Sequence, residues 1–114
     1  MTAREDIAEA ANVVDGIEIH PYFEAVSTPG MGWIELLRTD YPNTLGGEDY
    51  WGVVVVLPSD TAAAQRYMDE FRRTLWDALG EAMVVTQIRP EQIPMPDNTI
   101  IKSMVIEGHR EAEE

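Results

Sequence analysis

The sequence predicts an α+β domain: a mostly antiparallel sheet of about five strands with two helices packed on one face, in the order α-β-β-β-α-β-β. Three observations carry this expectation. Two segments place apolar residues at helical spacing, and each opens with a capping residue. Several runs of β-favouring residues are separated by turn signals, and one of them, Trp51 to Leu57 (WGVVVVL), is apolar throughout. The chain has 114 residues, 45% of them apolar, which is enough for one core and one domain.

Thr2 to Asn12 reads as a short helix. Thr2 and Glu5 have capping-box spacing, in which hydroxyl and carboxylate each satisfy an orphan backbone N–H of the first turn. Ala3, Ile7, Ala10, Ala11 and Val14 fall on one helical face, and Asp15-Gly16 gives a turn. Ile17 to Val26 reads as extended. Pro21 lacks an amide donor, so this strand belongs at an edge or is bulged there. Ser27 to Gly32 is a turn or flexible loop. Trp33 to Arg38 is a second strand, with Trp33, Glu35 and Leu37 on one face and Ile34, Leu36 and Arg38 on the other. Thr39 to Tyr50, rich in Asp40, Pro42, Asn43, Gly46 and Gly47, reads as a long loop.

Trp51 to Leu57 is expected at the centre of the sheet, covered on both sides. Two helices on one face leave the other side short of cover, which hints at a partner. Pro58 ends this strand. Ser59-Asp60 then caps the strongest helix, Thr61 to Leu79. Its stripe of Ala64, Tyr67, Met68, Phe71, Leu75, Ala78 and Leu79 predicts the buried face. Glu70 or Asp69 can pair with Arg73 along its surface, and Gly80 ends it. Met83 to Ile88 is a fourth strand. Arg89 to Asn98, with Pro90, Pro94 and Pro96, reads as a stiff connector rather than a ladder strand. Thr99 to Ile106 is the last strand, and residues 107–114 an acidic tail that orders only against a partner.

Twenty-one acidic residues against eight basic ones give a formal charge of −13. That balance disfavours direct binding to duplex nucleic acid, which needs clustered Lys and Arg, and docking on an anionic membrane. An acidic channel that DNA traverses without sticking remains compatible with it. The chain has no cysteine, which removes disulfides, thiolate catalysis and Cys-ligated metals and fits a reducing cytoplasm. Met1 to Ala11 lacks the apolar run of a signal peptide, and no stretch approaches the ~18 residues of a membrane span.

Catalytic signatures are sparse. Gly30-Met31-Gly32 lacks both the third glycine and the following helix of a dinucleotide-binding turn. His20 and His109 fall in predicted strand and tail, and neither has a His or carboxylate at i+4 on a helix, so a metal site would need two strands to bring them together. Asp69-Glu70 sits on a solvated helix face beside arginines. Glu48-Asp49, in the predicted loop, is the better acid–base or Mg²⁺ candidate. The aromatics Trp33, Tyr41, Tyr50 and Trp51 flank the loops, where such residues are either lids on the core or interface anchors. Met31, Trp33, Tyr41, Glu48, Asp49, Tyr50 and Met95 are the candidate contact residues toward a partner or another subunit.

The order and texture of the chain resemble the tail-terminator proteins of long-tailed, non-contractile phages, especially those of actinobacterial hosts. The resemblance covers nearly the whole chain. It runs from the N-terminal helix and Pro21-Tyr22-Phe23 through the Gly-rich segment, Trp51 to Leu57, Pro58 and Asp60 opening the helix, and Met83-Val84-Val85. It ends with Ile100 to Glu107 and Gly108-His109-Arg110-Glu111. It implies a homohexameric ring that caps the tail tube, ends its polymerisation and meets the head-side connector or stopper. DNA would pass through without specific binding. The protein would be assembled in the host cytoplasm and reside in the virion, at the head–tail junction. No catalytic residue, metal or cofactor comes with the family. Thr39 to Tyr50 and Arg89 to Asn98 are the segments expected to touch neighbouring rings. Another connector or stopper subunit, or a small dimeric ligand-binding regulatory domain, are the alternative readings.

Overall fold

The computed structural model describes residues 2–26, 28–43 and 46–112. Seven elements follow the predicted order: α1 (Ala3–Ala11), β1 (Glu18–His20), β2 (Met31–Asn43), β3 (Gly46–Val56), α2 (Thr61–Leu79), β4 (Val84–Pro94) and β5 (Ile100–Glu111). The strands form one sheet in the order β1-β2-β3-β5-β4. Every neighbouring pair is antiparallel except β1 and β2, which are parallel.

Both helices begin as their sequences require. The Thr2 side chain accepts from the Glu5 backbone N–H while the Glu5 carboxylate accepts from the Thr2 backbone, a complete capping box. Those hydrogen bonds hold the Glu5 carboxyl below its ordinary range, since they favour the charged form. Asp60 caps α2 by accepting from Ala63 N–H, and Gly80 caps its end in right-handed geometry, at φ −60. The predicted stripe faces inward. Ile7, Ala8 and Ala11 of α1 and Ala64, Leu75 and Leu79 of α2 pack on Ile34, Val53, Val55, Met104 and Ile106 of the sheet. Both helices therefore cover one face, the helix face. Along the surface of α2 the ion pairs are Arg72–Asp69 and Arg73–Asp77 rather than those to Arg73 from Asp69 or Glu70.

The opposite, outer face has its own cover, which corrects the inference that β3 needs a partner. A parallel neighbour cannot be reached by a tight turn, so the chain between β1 and β2 must cross the sheet. It does so on the outer face, where Val26 packs on a second cluster of Trp33, Val54, Val56, Met95 and Val105. Phe23 meets Trp33 edge-on with ring centroids 4.9 Å apart. Val53 to Val56 are thus buried on both sides by this chain alone. The crossover ends at Gly30, whose φ of +92 suits only glycine and whose added Cβ would collide with the Gly16 carbonyl oxygen.

Several boundaries move. The extended segment from Ile17 shrinks to Glu18–His20 before Pro21, and it is an edge strand as expected. Thr39 to Tyr50 is no loop: β2 and β3 pair as a hairpin down to Asn43↔Gly46, with Thr44 and Leu45 outside the described residues. Arg89 to Asn98 is no free connector, because β4 continues through Pro90 to Pro94. Leu57 N–H donates to Lys102 O, turning Lys102 toward β3 and Ser103 toward β4. Alternation then points the nitrogens of Pro90 and Pro94, paired with Met104 and Ile100, at the free edge, where no donor is needed. The acidic tail is not loose either. β5 runs to Glu111, paired with Glu48, and only Glu113 and Glu114 fall outside the described residues.

The other edge is closed by a side chain. Asn12 donates through Nδ2 to Ile19 O at 3.0 Å, and its Oδ1 accepts from Ile19 N–H at 2.6 Å. The amide thus fills the place a further strand would take on β1.

Candidate interaction surface

Beyond Leu36 and Trp51 the hairpin outruns the core. Neither apolar cluster includes a residue between 35 and 50, or after 106. Seven residues of strand at ~3.3 Å each carry β2 roughly 20 Å past that point. The extension gives the chain a long axis of 47 Å against 30 and 22 Å. Its strands hold by ladder hydrogen bonds and by side-chain pairs on both faces.

A register shift between Leu36 and Arg38 sets those faces. Leu37 approaches the Gly52 site from the outer side, and Arg38 lies opposite Tyr50 on that same side. The bulge therefore moves Arg38 away from Ile34 and Leu36, with which simple alternation had grouped it. On the outer side the Arg38 guanidinium stacks 3.8 Å from the Tyr50 ring centre, and it pairs with Asp40 at 3.2 Å. Tyr50 meets His109 of β5 at 5.4 Å, and His109 Nδ1 lies 2.5 Å from Glu48 Oε1. Farther along, Arg89 of β4 bonds Glu107 at 2.6 Å and Glu91 at 3.3 Å. Hydrogen bonding to Asp40 and to Glu107 raises the pKa of Arg38 and Arg89 respectively, so both remain charged. These pairs are partly exposed, so each adds little to stability. Together they link β2, β3, β5 and β4 in turn across the outer side.

On the helix side of the hairpin, Thr39 Oγ1 donates to Asp49 Oδ1. Tyr41, 68% exposed, lies over Gly47, where an added Cβ would stand 2.7 Å from its ring. Leu36 is exposed on this side, and Leu37 is exposed on the other. The Ala112 N–H closes on Gly47 O at 2.9 Å, tying the end of β5 to the hairpin.

Of the candidate contact residues, the structure gathers Tyr41, Glu48, Asp49 and Tyr50 on this hairpin. Met31 stands apart at the start of β2, half-buried. Trp33 and Met95 are 1% and 8% exposed, inside the outer-face cluster. They belong to the core and offer no side chain to a partner. His20 lies 3.5 Å from Glu18 and 3.6 Å from Glu24 on β1, whereas His109 joins Glu48 on β5, so the two histidines form no pair. Among the described residues no three His, Asp or Glu side chains are placed to share a metal ion. No described helix is long and apolar enough to cross a membrane.

Trp76 is the residue the sequence reading missed. It is 40% exposed on α2, and with Arg72, Arg73 and Ile88 it lines a cleft of about 340 Å³. The available signal was a large aromatic lying off the apolar stripe. A larger cleft of about 510 Å³ lies between the first half of α2 and β4, lined by Ala64, Met68, Pro90, Gln92 and Lys102 among others. Lys102 Nζ there donates to Ser59 O and Thr61 Oγ1, each at 2.8 Å. No protein-family model matches the chain, and a search of curated proteins returns no match.

Proposed function

We propose that the chain is a structural subunit of a long-tailed, non-contractile phage that closes into a six-membered ring. In this reading the ring caps the tail tube, ends its polymerisation and joins it to the head-side connector or stopper. The proposal begins from the sequence resemblance. The observation that most supports it is the extension of β2, β3 and β5 beyond both apolar clusters. The part of the hairpin beyond Leu36 and Trp51 adds nothing to either apolar cluster, yet its faces are set by a bulge, a ladder and cross-strand pairs. Such a projection is suited to contact with another chain. The charge of −13 suits a passage that DNA slides through, because carboxylates do not hold phosphates. No catalytic role, cofactor or membrane contact is part of this reading, and its site of action is the head–tail junction of the virion.

The decisive experiment adds the protein to polymerising tail-tube subunits and measures tube length by negative-stain electron microscopy. Shortened, capped tubes are expected, with rings at one end. Unchanged tube lengths would sink the proposal. Six copies of the 12.8 kDa chain give about 77 kDa for the ring, which light scattering on capped ends or free rings can check.

A further inference from the structure

We infer that residues 22–26 form a strap that lifts from the outer face as a unit while the sheet and both helices stay folded, uncovering the apolar cluster around Trp33 and Val54. This is a conformational device of the chain itself, and it does not rest on the ring reading.

A strap needs pinned ends and a sparse middle, and the crossover has both. At its start, Arg4 Nη1 donates to Pro21 O at 3.0 Å and to Ile34 O at 2.6 Å, which ties the end of β1 to α1 and β2. The same guanidinium lies 4.9 Å from the Tyr22 ring centre and 5.2 Å from that of Trp51. At the far end, Gly30 N–H donates to Val56 O and Gly30 O accepts from Glu18 N–H, each at 2.9 Å. Between these anchors the backbone makes no ladder. Val26 N–H donates to Glu24 O, a bond within the strap that survives lifting. Among the described residues no hydrogen bond joins residues 22–26 to the sheet or the helices.

Side-chain contact alone holds the middle. Phe23 meets Trp33 edge-on yet is 51% exposed, and Tyr22 is 64% exposed. Val26 is partly buried against the cluster. Glu24 lies 3.6 Å from His20 in a partly exposed pair that adds little. The strap does not close on the turn after β4: a cleft of about 210 Å³ opens between Ala25 and Val26 on one side and Met95, Pro96 and Thr99 on the other. Segments with few buried apolar contacts and no shared ladder open at a lower cost than the whole fold. The surface beneath has the opposite character. Trp33, Val54 and Val105 sit opposite one another on β2, β3 and β5, joined by continuous ladders, so they keep their places when the strap lifts. The opened chain presents a preformed apolar face.

The chain has no cysteine, so a single introduced cysteine reports opening through its rate of modification by a thiol reagent that reacts slowly compared with reclosing. Val53 and Val54 are neighbours on β3, 0% and 1% exposed, and face the helix-side and outer clusters respectively. Val53→Cys is expected to react only through global unfolding. Val54→Cys is expected to react at least about tenfold faster in buffer. Its rate should stay nearly flat at low urea, because lifting the strap exposes little surface. Ile7→Val weakens the helix-side core and should speed Val53→Cys by roughly two- to tenfold. It should leave Val54→Cys unmoved, since Ile7 remains packed in the opened state. Phe23→Ala removes the contact with Trp33 and should speed Val54→Cys by about tenfold. Val105→Cys, 2% exposed in the outer cluster, replaces Val54→Cys should that variant fold poorly. Equal rates for the two β3 cysteines, equal acceleration of both by Ile7→Val, or no acceleration by Phe23→Ala each overturn the inference. Tube capping plays no part in these measurements, so the strap and the ring reading stand or fall separately.

Discussion

Trp33→Ala separates a core role for this residue from a contact role. The indole is 1% exposed, pressed between Val54, Met95 and Val105 and closed from above by Phe23 and Val26. A buried aromatic side chain removes ~150–250 Å² from water, which at ~25 cal/mol/Å² is about 4–6 kcal/mol. Alanine retains part of that, and aromatic-to-alanine changes in cores cost about 3–5 kcal/mol. The Nε1–H bond to Glu35 at 2.9 Å adds little, because Glu35 is exposed and water replaces it. Against a typical domain stability of about 5–15 kcal/mol, the loss is severe. Urea titration followed by far-UV circular dichroism should show the midpoint falling by roughly 2 M. Trp33→Phe keeps a ring under Phe23 and should fall by less than half as much. A change under ~1 kcal/mol for the alanine variant would refute the argument that the crossover makes a true second core. If association with another chain were lost at the same time, Trp33 would be a contact residue after all.

Three other substitutions test separate parts of the structure. Gly30→Ala places a Cβ against the Gly16 carbonyl at positive φ, and should lower stability by at least about 2 kcal/mol in the same titration. Asn12→Ala leaves Ile19 N–H and C=O open on β1; a loss of about 1–3 kcal/mol and faster amide exchange at Ile19 are expected by hydrogen-exchange NMR. For Glu5→Gln the sign follows from the lowered carboxyl pKa. The charged capping box stabilises above the ordinary value of 4.5 and loses that contribution as pH falls through the lowered one. The stability difference between wild type and Glu5→Gln should therefore be present at neutral pH and vanish in strong acid. A difference independent of pH would contradict it.

The parts legible in the sequence are those whose signals are local. α2 keeps its predicted bounds because Asp60, the stripe from Ala64 to Leu79, and Gly80 all lie within it. The hairpin was obscured because Asp40, Pro42, Asn43, Gly46 and Gly47 resemble a loop, while what holds it is the ladder of β2 with β3 and of β3 with the distant β5. Proline sent one message in two places. Pro21 was read as an edge marker, but Pro90 and Pro94 were read as breaking the strand, although all three adjoin or occupy edge strands. Telling these apart requires knowing which strand lies outermost, and that is a property of the whole sheet. The parallel pairing of β1 with β2 was hidden for the same reason, and with it the crossover that buries Trp33 and Met95. Within the candidate surface, Tyr41, Glu48, Asp49 and Tyr50 were found through residue type. Trp76 is less legible, because the helical period of α2 marks what the helix buries rather than what it exposes.

The devices at the sheet's borders bear on how another strand could add to this chain. Strand addition is indifferent to side chains and has no natural end, since each added strand exposes a new edge like the last. On β1 the amide of Asn12 occupies the bonding positions, and on β4 two prolines remove donors from the outward row. Strand addition is hindered at β1 and at the two prolines of β4, whereas the rim of β2 beyond Trp33 has no strand beside it among the described residues.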